Sequence, residues 1–310
     1  MRRYLFCILL LAISLLKGPG LSGQSPFPSH SQYINNGMVI NPAYAGSRGA
    51  MSVLLSLREQ WIDVDGAPSY QSASLHAPLG NDRVALGLLY SGLNYGVTSR
   101  QSFFGVYAYH IHMGRTRLSL GLQGGVDIES SDYGSVITNT PDPTFRDASE
   151  YMMLPNVGAG IYLYSDNFFM GVSVPAILSY RDVASPKLSD AYYSYRKSDI
   201  LFLTGGAVSL GDLFVVSPST LFRYSPSMPY EVDLNLNFII ADILWLGGSW
   251  RVSEEALVGI AGVNITPRMK LGYSYDYMMG NLSNFSSGTH ELMIRFELGY
   301  RISAQSPRYF

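Results

Sequence analysis

Five histidines (His30, His76, His110, His112 and His290) and a single cysteine, Cys7, bound the acid–base and metal chemistry open to this chain. A nucleophile and its base must lie within hydrogen-bond reach. Ser74 and His76 share one face of an extended segment but stand roughly 6–7 Å apart along it, too far for that partnership. His110 and His112 also share a face and supply two nitrogens, whereas a zinc site needs further ligands that no neighbouring motif provides. The residues therefore predict no enzyme, no cofactor and no metal. A different chemistry recurs instead, that of charges on alternate positions. Glu231 and Asp233 stand two apart, and Glu291, Arg295, Glu297 and Arg301 share one parity. Both signs on one face are suited to pairing with one another or to lining an aqueous lumen.

The elements that carry these charges are β-strands. Opposite the polar residues of 291–302 run Leu292, Ile294, Phe296, Leu298, Tyr300 and Ile302. Across from Glu231, Asp233, Asn235 and Asn237 lie Val232, Leu234, Leu236 and Phe238, and Met269–Tyr277 repeats the pattern with Lys270, Gly272, Ser274 and Asp276 on its polar side. A period of two gives a strand one apolar and one polar face. Fourteen such segments can be marked, near 48–60, 68–78, 83–93, 99–112, 115–130, 154–165, 167–180, 199–210, 213–224, 229–240, 243–252, 255–265, 268–277 and 289–302. A soluble β-sandwich also alternates, but it has no reason to sort its loops by parity. Here the connections at Gly80-Asn81-Asp82, Gly114, Ser165-Asp166, Gly211-Asp212, Ala241-Asp242 and Thr266-Pro267 are tight. Those between them are mostly longer, up to Ser131–Met153, Arg181–Ser198 and Met278–Gly288. Short turns on one side and long loops on the other are the signature of an antiparallel up-and-down transmembrane β-barrel. An even strand number places both chain ends on the short-turn, periplasmic side.

Composition agrees. The chain has 310 residues, 47% hydrophobic but only 14% charged, against roughly 25% charged in an average soluble domain. A formal charge of −2 gives nucleic acid no electrostatic foothold. Arg2 and Arg3, the apolar run Tyr4–Leu16 and the small residues Gly18, Gly20, Ser22 and Gly23 form a signal peptide over residues 1–23. Its removal takes Arg2, Arg3, Lys17 and Cys7, leaving 18 basic against 23 acidic residues and no cysteine. The exported chain is thus held together without disulfides. Residues 48–302 are predicted to be the barrel and 303–310 a periplasmic tail. Tyr273, Tyr275, Tyr277, Trp245 and Trp250 are assigned to the aromatic girdles at the membrane interfaces.

Residues 24–47 carry poor strand signal. They hold Pro26, Pro28 and the run Asn41, Pro42, Ala43, Tyr44, Ala45 and Gly46, in which Asn-Pro opens a turn and Gly46 supplies the positive φ that ends one. A fourteen-strand barrel is wider than the eight-strand kind its own side chains fill, so a hatch within the barrel, or a periplasmic flap, is expected here. At these residues the sequence resembles the PorP/SprF family, outer-membrane proteins of the type IX secretion system of Bacteroidota. Ser31-Gln32-Tyr33 and the NPAYAG run begin the resemblance. It continues through a first external loop with Arg58, Gln60, Trp61, Gly66, Ala67 and Pro68, then Tyr107–Val126, Asn156–Tyr164, Gly171–Pro175, Pro218–Tyr224, Leu244–Arg251, Leu271–Tyr277 and Gly288–Glu291. Ser91–Gly96, read as an external loop, departs from the family pattern.

The resemblance implies a non-enzymatic component of the secretion and gliding machinery. Its partners would be periplasmic ring subunits, a large secreted surface adhesin, or both, with outer-membrane lipid around the barrel. The rival function is a channel for small hydrophobic or polar solutes, similar to the fatty-acid uptake barrels.

Overall fold

The computed structural model describes residues 29–80, 82–135, 149–180, 191–193, 198–226 and 229–299. Seven strands run up the first half of the chain: β1 (Met51–Glu59), β2 (Ser69–Leu79), β3 (Val84–Tyr95), β4 (Thr98–Met113), β5 (Thr116–Asp132), β6 (Ser149–Tyr164) and β7 (Phe168–Val174). A small hairpin follows, β8 (Leu178–Tyr180) with β9 (Ala191–Tyr193). Then come β10 (Ile200–Gly206), β11 (Val208–Leu210), β12 (Phe214–Tyr224), β13 (Glu231–Ile240), β14 (Leu244–Arg251), β15 (Ala256–Thr266), β16 (Met269–Met278) and β17 (Thr289–Leu298). Each neighbour pair is antiparallel. β10 bridges β7 and β12, and β1 pairs with β17, so the sheet closes on itself. β10 and β11 are two halves of one position, both paired to β12 and interrupted at Ala207. Fourteen strand positions therefore form the barrel, as expected.

Strand ends shift where local chemistry dictates. β7 stops at Val174 rather than continuing to 180, because Pro175 has no N–H to donate to a ladder and its carbonyl instead accepts from Gln123. β5 and β6 pair up to Asp132 and Ser149, beyond the expected loop boundary. Ser91–Tyr95 proves to be the end of β3 rather than a loop, with only Gly96 (φ 53°) and Val97 turning into β4. Of the expected loops, 136–148 and most of 181–198 lie outside the described residues, as do Tyr300, Arg301, Ile302 and the tail 303–310.

Alternation sorts the side chains between lipid and lumen. Leu55, Leu57, Leu88, Leu122, Ile161, Leu236, Phe238, Leu292 and Leu298 stand on the exposed outer face, with Leu88 62% exposed. Packing against protein does not cover this face; lipid does, and closure satisfies the backbone groups. No described helix is long and apolar enough to cross a membrane. Inside the ring, residues 29–48 are buried and run along the lumen, with a single-turn helix α1 (Gly37–Ile40) and a 3-10 turn (Pro42–Tyr44). Tyr33, Ile34, Met38, Val39, Ile40, Ala43, Tyr44 and Ala45 pack with Ala85, Leu89, Phe104, Val106, Tyr162, Phe169, Leu201 and Leu221 into one apolar core. That core leans on β3, β4, β6, β7, β10 and β12. The opposite wall, built by β1, β13, β14, β16 and β17, is charged.

Trp245 corrects the girdle assignment. It shares parity with Ser249 and Arg251, which point inward, and it is 5% exposed. The Lys270 ammonium lies 2.9 Å from its ring centroid, a cation–π contact that only a lumenal indole can make. Tyr273 and Tyr277 do face outward, and the Tyr273 hydroxyl sits 2.7 Å from His290 Nδ1.

Candidate functional site

Cross-strand register brings the charges of the polar wall into contact. Arg58 stands directly opposite Glu291, Arg223 opposite Glu231, and Asp233 opposite Arg251. Such opposed positions are within side-chain reach. The Arg58 guanidinium donates to Glu291 Oε2 (3.2 Å) and to Asp276 Oδ2 (2.6 Å). Arg251 donates to Asp233 Oδ1 (3.1 Å), Glu254 Oε2 (3.0 Å) and Asp276 Oδ2 (3.0 Å). Arg223 pairs with Glu231 at 2.7 Å. Nearer the short turns, Arg48 meets Glu297 at 2.6 Å, and Arg295 reaches the same carboxylate at 3.4 Å.

The N-terminal segment completes this cluster. Ser31 Oγ donates to Asp276 (2.7 Å to Oδ1) and accepts from Arg58 Nη1 (2.8 Å) and Arg251 Nη2 (3.1 Å). One hydroxyl thus uses its proton and both lone pairs. The amides of Ser31 and Gln32 donate to the two oxygens of Glu291, at 2.9 and 3.3 Å. Arg58, Arg251, Asp276 and Glu291 are essentially inaccessible to solvent. Charges so placed are tolerable only when paired and hydrogen-bonded, so the segment and the wall need each other. Ser29 Oγ donates to Glu254 Oε1 (3.1 Å). Burial alone would raise the Glu254 carboxyl, but Arg251 and then Arg58 outweigh it and hold it below its usual range. His30 packs edge-on against Tyr70, with ring centroids 4.7 Å apart. Burial foremost, and then Arg58, Arg223 and Arg251, push its pKa well down.

Lower in the lumen the Asn41–Gly46 run is held by small wall residues. Asn41 Oδ1 accepts from the Ala43 amide (2.9 Å), while its Nδ2 donates to the Ile161 carbonyl (3.0 Å) and also reaches that of Val172. Pro42 occupies the first position of the 3-10 turn, where its missing N–H costs nothing. A methyl group at Gly121 would overlap the Ala43 backbone, and one at Gly160 would overlap the Asn41 side chain. Gly46 takes φ 76° and donates to His76 Nδ1 (3.0 Å). Replacing Asn41 with alanine should cost about 1–2 kcal/mol, the range for a lost cap with further lost hydrogen bonds. A lower thermal unfolding midpoint of the purified barrel in detergent would register it.

Of the residues singled out in the sequence, Asp233, Glu291 and Arg295 lie inside the ring. Glu231 and Glu297 lie at its two ends, and Arg301 falls outside the described residues. Arg58 belongs to β1 and the buried cluster rather than to the loop after it. Gln60, Trp61, Gly66, Ala67 and Pro68 do form that loop. It carries positive φ at Trp61 (46°), Asp63 (75°) and Gly66 (72°) and is tied to Gly288 and Thr289. Periodicity places Asp276 on a polar strand face and the family resemblance includes Arg251 in a motif, but neither belongs to the lumenal set expected from the sequence. Their parity was the available signal. His76 is committed to Gly46, and His110 Nδ1 lies 3.2 Å from the Tyr164 hydroxyl. Among the described residues no group of three His, Cys, Asp or Glu side chains could hold a metal ion.

Comparison with solved structures finds the toluene transporter TbuX of Ralstonia pickettii at 10% identity and TM-score 0.49, covering 85% of this chain and 93% of that one. The outer membrane protein Omp33 of Acinetobacter baumannii shares 9% identity at TM-score 0.47, covering 80% and 98%. Outer membrane phospholipase A of Escherichia coli shares 12% at TM-score 0.36, covering 80% and 93%. Likeness at this level carries no function across. None of the curated proteins compared matches the sequence. The profile of the type IX secretion system membrane protein PorP/SprF matches residues 23–296, and the chain belongs to that family as an outer-membrane β-barrel component of type IX secretion.

Proposed function

We propose that the protein is a non-enzymatic platform of the type IX machinery that joins periplasmic secretion subunits to a secreted surface protein. The observation that carries this reading is the N-terminal segment seated inside the barrel of a family member. Residues 29–48 occupy the interior and are bound to opposite walls, from Ser219 to Ser72 and from Asp276 to Ile161. A barrel obstructed by such a segment would offer its two rims rather than a path through it. The short turns and the tail 303–310 would face the periplasmic ring. The long loops, with Gln60, Trp61, Gly66, Ala67 and Pro68 held in a pinned and strained conformation, would face a large secreted adhesin and so serve surface anchoring and gliding.

Affinity capture from intact cells tests the reading. Type IX components and a secreted surface protein should be recovered together, and recovery of neither would overturn it. Planar-bilayer recordings of the purified full chain address the rival: a steady conductance without mutation would favour a solute channel.

A further inference from the structure

The direction in which the N-terminal segment runs through the barrel is opposite to the one expected. Ser29 contacts Glu254, which lies in the connection between β14 and β15 on the long-loop rim. His30 contacts Tyr70, the second residue of β2 at the same rim. Ser31 sits on Arg58, Asp276 and Glu291, each within three residues of a long-loop strand end. The chain then descends. Asn35 accepts from Lys270, the second residue of β16 at the short-turn rim, Gly46 binds His76, and Arg48 binds Glu297 one residue from the end of β17. Only then does it turn back up into β1. For the preceding chain to return to the short-turn side it would have to pass the level of Arg58, Arg251, Asp276 and Glu291. All four are buried there against Ser31 and each other, and the five residues from Gln24 to Pro28, even fully extended, reach at most about 18 Å, short of the apolar band of about 25 Å they would have to cross.

We infer that the chain leaves the lumen at Ser29 toward the long-loop side, so that the processed N-terminus lies on the same side of the membrane as the long-loop rim, opposite Leu298. The shared side follows from the path of the chain. That this side is the cell surface, and that the surface receives a secreted protein, rests on the proposed function. The path also orders assembly. A leader still held at the inner membrane could not accompany Ser29 to the far rim, so leader cleavage precedes seating of the segment.

Cysteine labelling tests this without background, because Cys7 leaves with the leader. Ser25→Cys is compared with Ser283→Cys in a long loop and Asp212→Cys in a short turn, using a membrane-impermeant maleimide on cells before and after the outer membrane is permeabilised. Ser25→Cys should label in intact cells to the same extent as Ser283→Cys, while Asp212→Cys labels only after permeabilisation. Ser25→Cys following Asp212→Cys would overturn the inference. So would labelling that appears only in denaturant, which would place the residue within the lumen. If Ser25→Cys and Ser283→Cys both label only after permeabilisation and Asp212→Cys labels in intact cells, the shared side stands and the outward orientation of the platform falls.

Discussion

Arg58→Met should open the barrel. The substitution keeps length and apolar volume but strips Glu291 of its cross-strand partner and removes one of two guanidinium groups from Asp276. Breaking one side of a buried pair leaves the other charge uncompensated, typically at a cost of about 3–5 kcal/mol. The strands themselves are held by a closed ladder that Arg58 does not join through its side chain. The penalty therefore falls on the seated segment, whose Ser31 hydroxyl loses a donor at 2.8 Å. At about 1.4 kcal/mol per tenfold, the unseated fraction should rise at least a hundredfold. It would be read as more frequent channel openings in planar bilayers than the unmodified protein gives, together with a lower unfolding midpoint. Adding Glu291→Gln in the same chain removes the stranded carboxylate and should restore part of the loss. An additive further loss would show that the two residues do not act as a pair.

Gly121→Ala should be the single methyl in the barrel wall that most directly displaces the Asn41–Gly46 turn. Gly121 faces inward with Ser119 and Gln123, and the added carbon would lie on the Ala43 backbone, which cannot swing aside as a long side chain would. Overpacking of this kind costs about 1–3 kcal/mol and sometimes more. Here the relief available is expulsion of the Asn41–Gly46 turn. Gly124→Ala is the matched control. It lies three residues along the same strand on the outward face, and its added carbon meets nothing within 4 Å. Its effect should stay within about 0.5 kcal/mol. Unfolding midpoints in detergent compare the two, and equal effects would show that glycine acts through the strand rather than through the turn it holds.

Much of this architecture was legible residue by residue. The alternation in 231–238, 269–277 and 291–298 named both faces, and tight turns such as Gly211-Asp212 marked one rim. Poor strand signal in 24–47 marked a segment of another kind. Residue type misleads at Trp245, whereas at Asp276 the missing information is not local. Trp245 was assigned to the interface by residue type, although its parity with Arg251 already pointed inward. Asp276 looked like any polar strand residue until closure brought Arg58, 218 positions away, within 2.6 Å of it.

The sequence by itself determined which face of each strand meets lipid, because a two-residue period is a property of the backbone and survives any register. It also set the number of strands and the sorting of short from long connections. Only the tertiary structure decided which charge meets which, since β1 pairs with β17 across nearly the whole chain and a slip in register would change every partner. It alone decided the course of residues 29–48 as well. A segment without periodicity carries no mark of direction. That direction comes from burying Ser31 against Asp276 and Glu291 at one rim and Arg48 against Glu297 at the other, where each charge finds the partner it needs out of water.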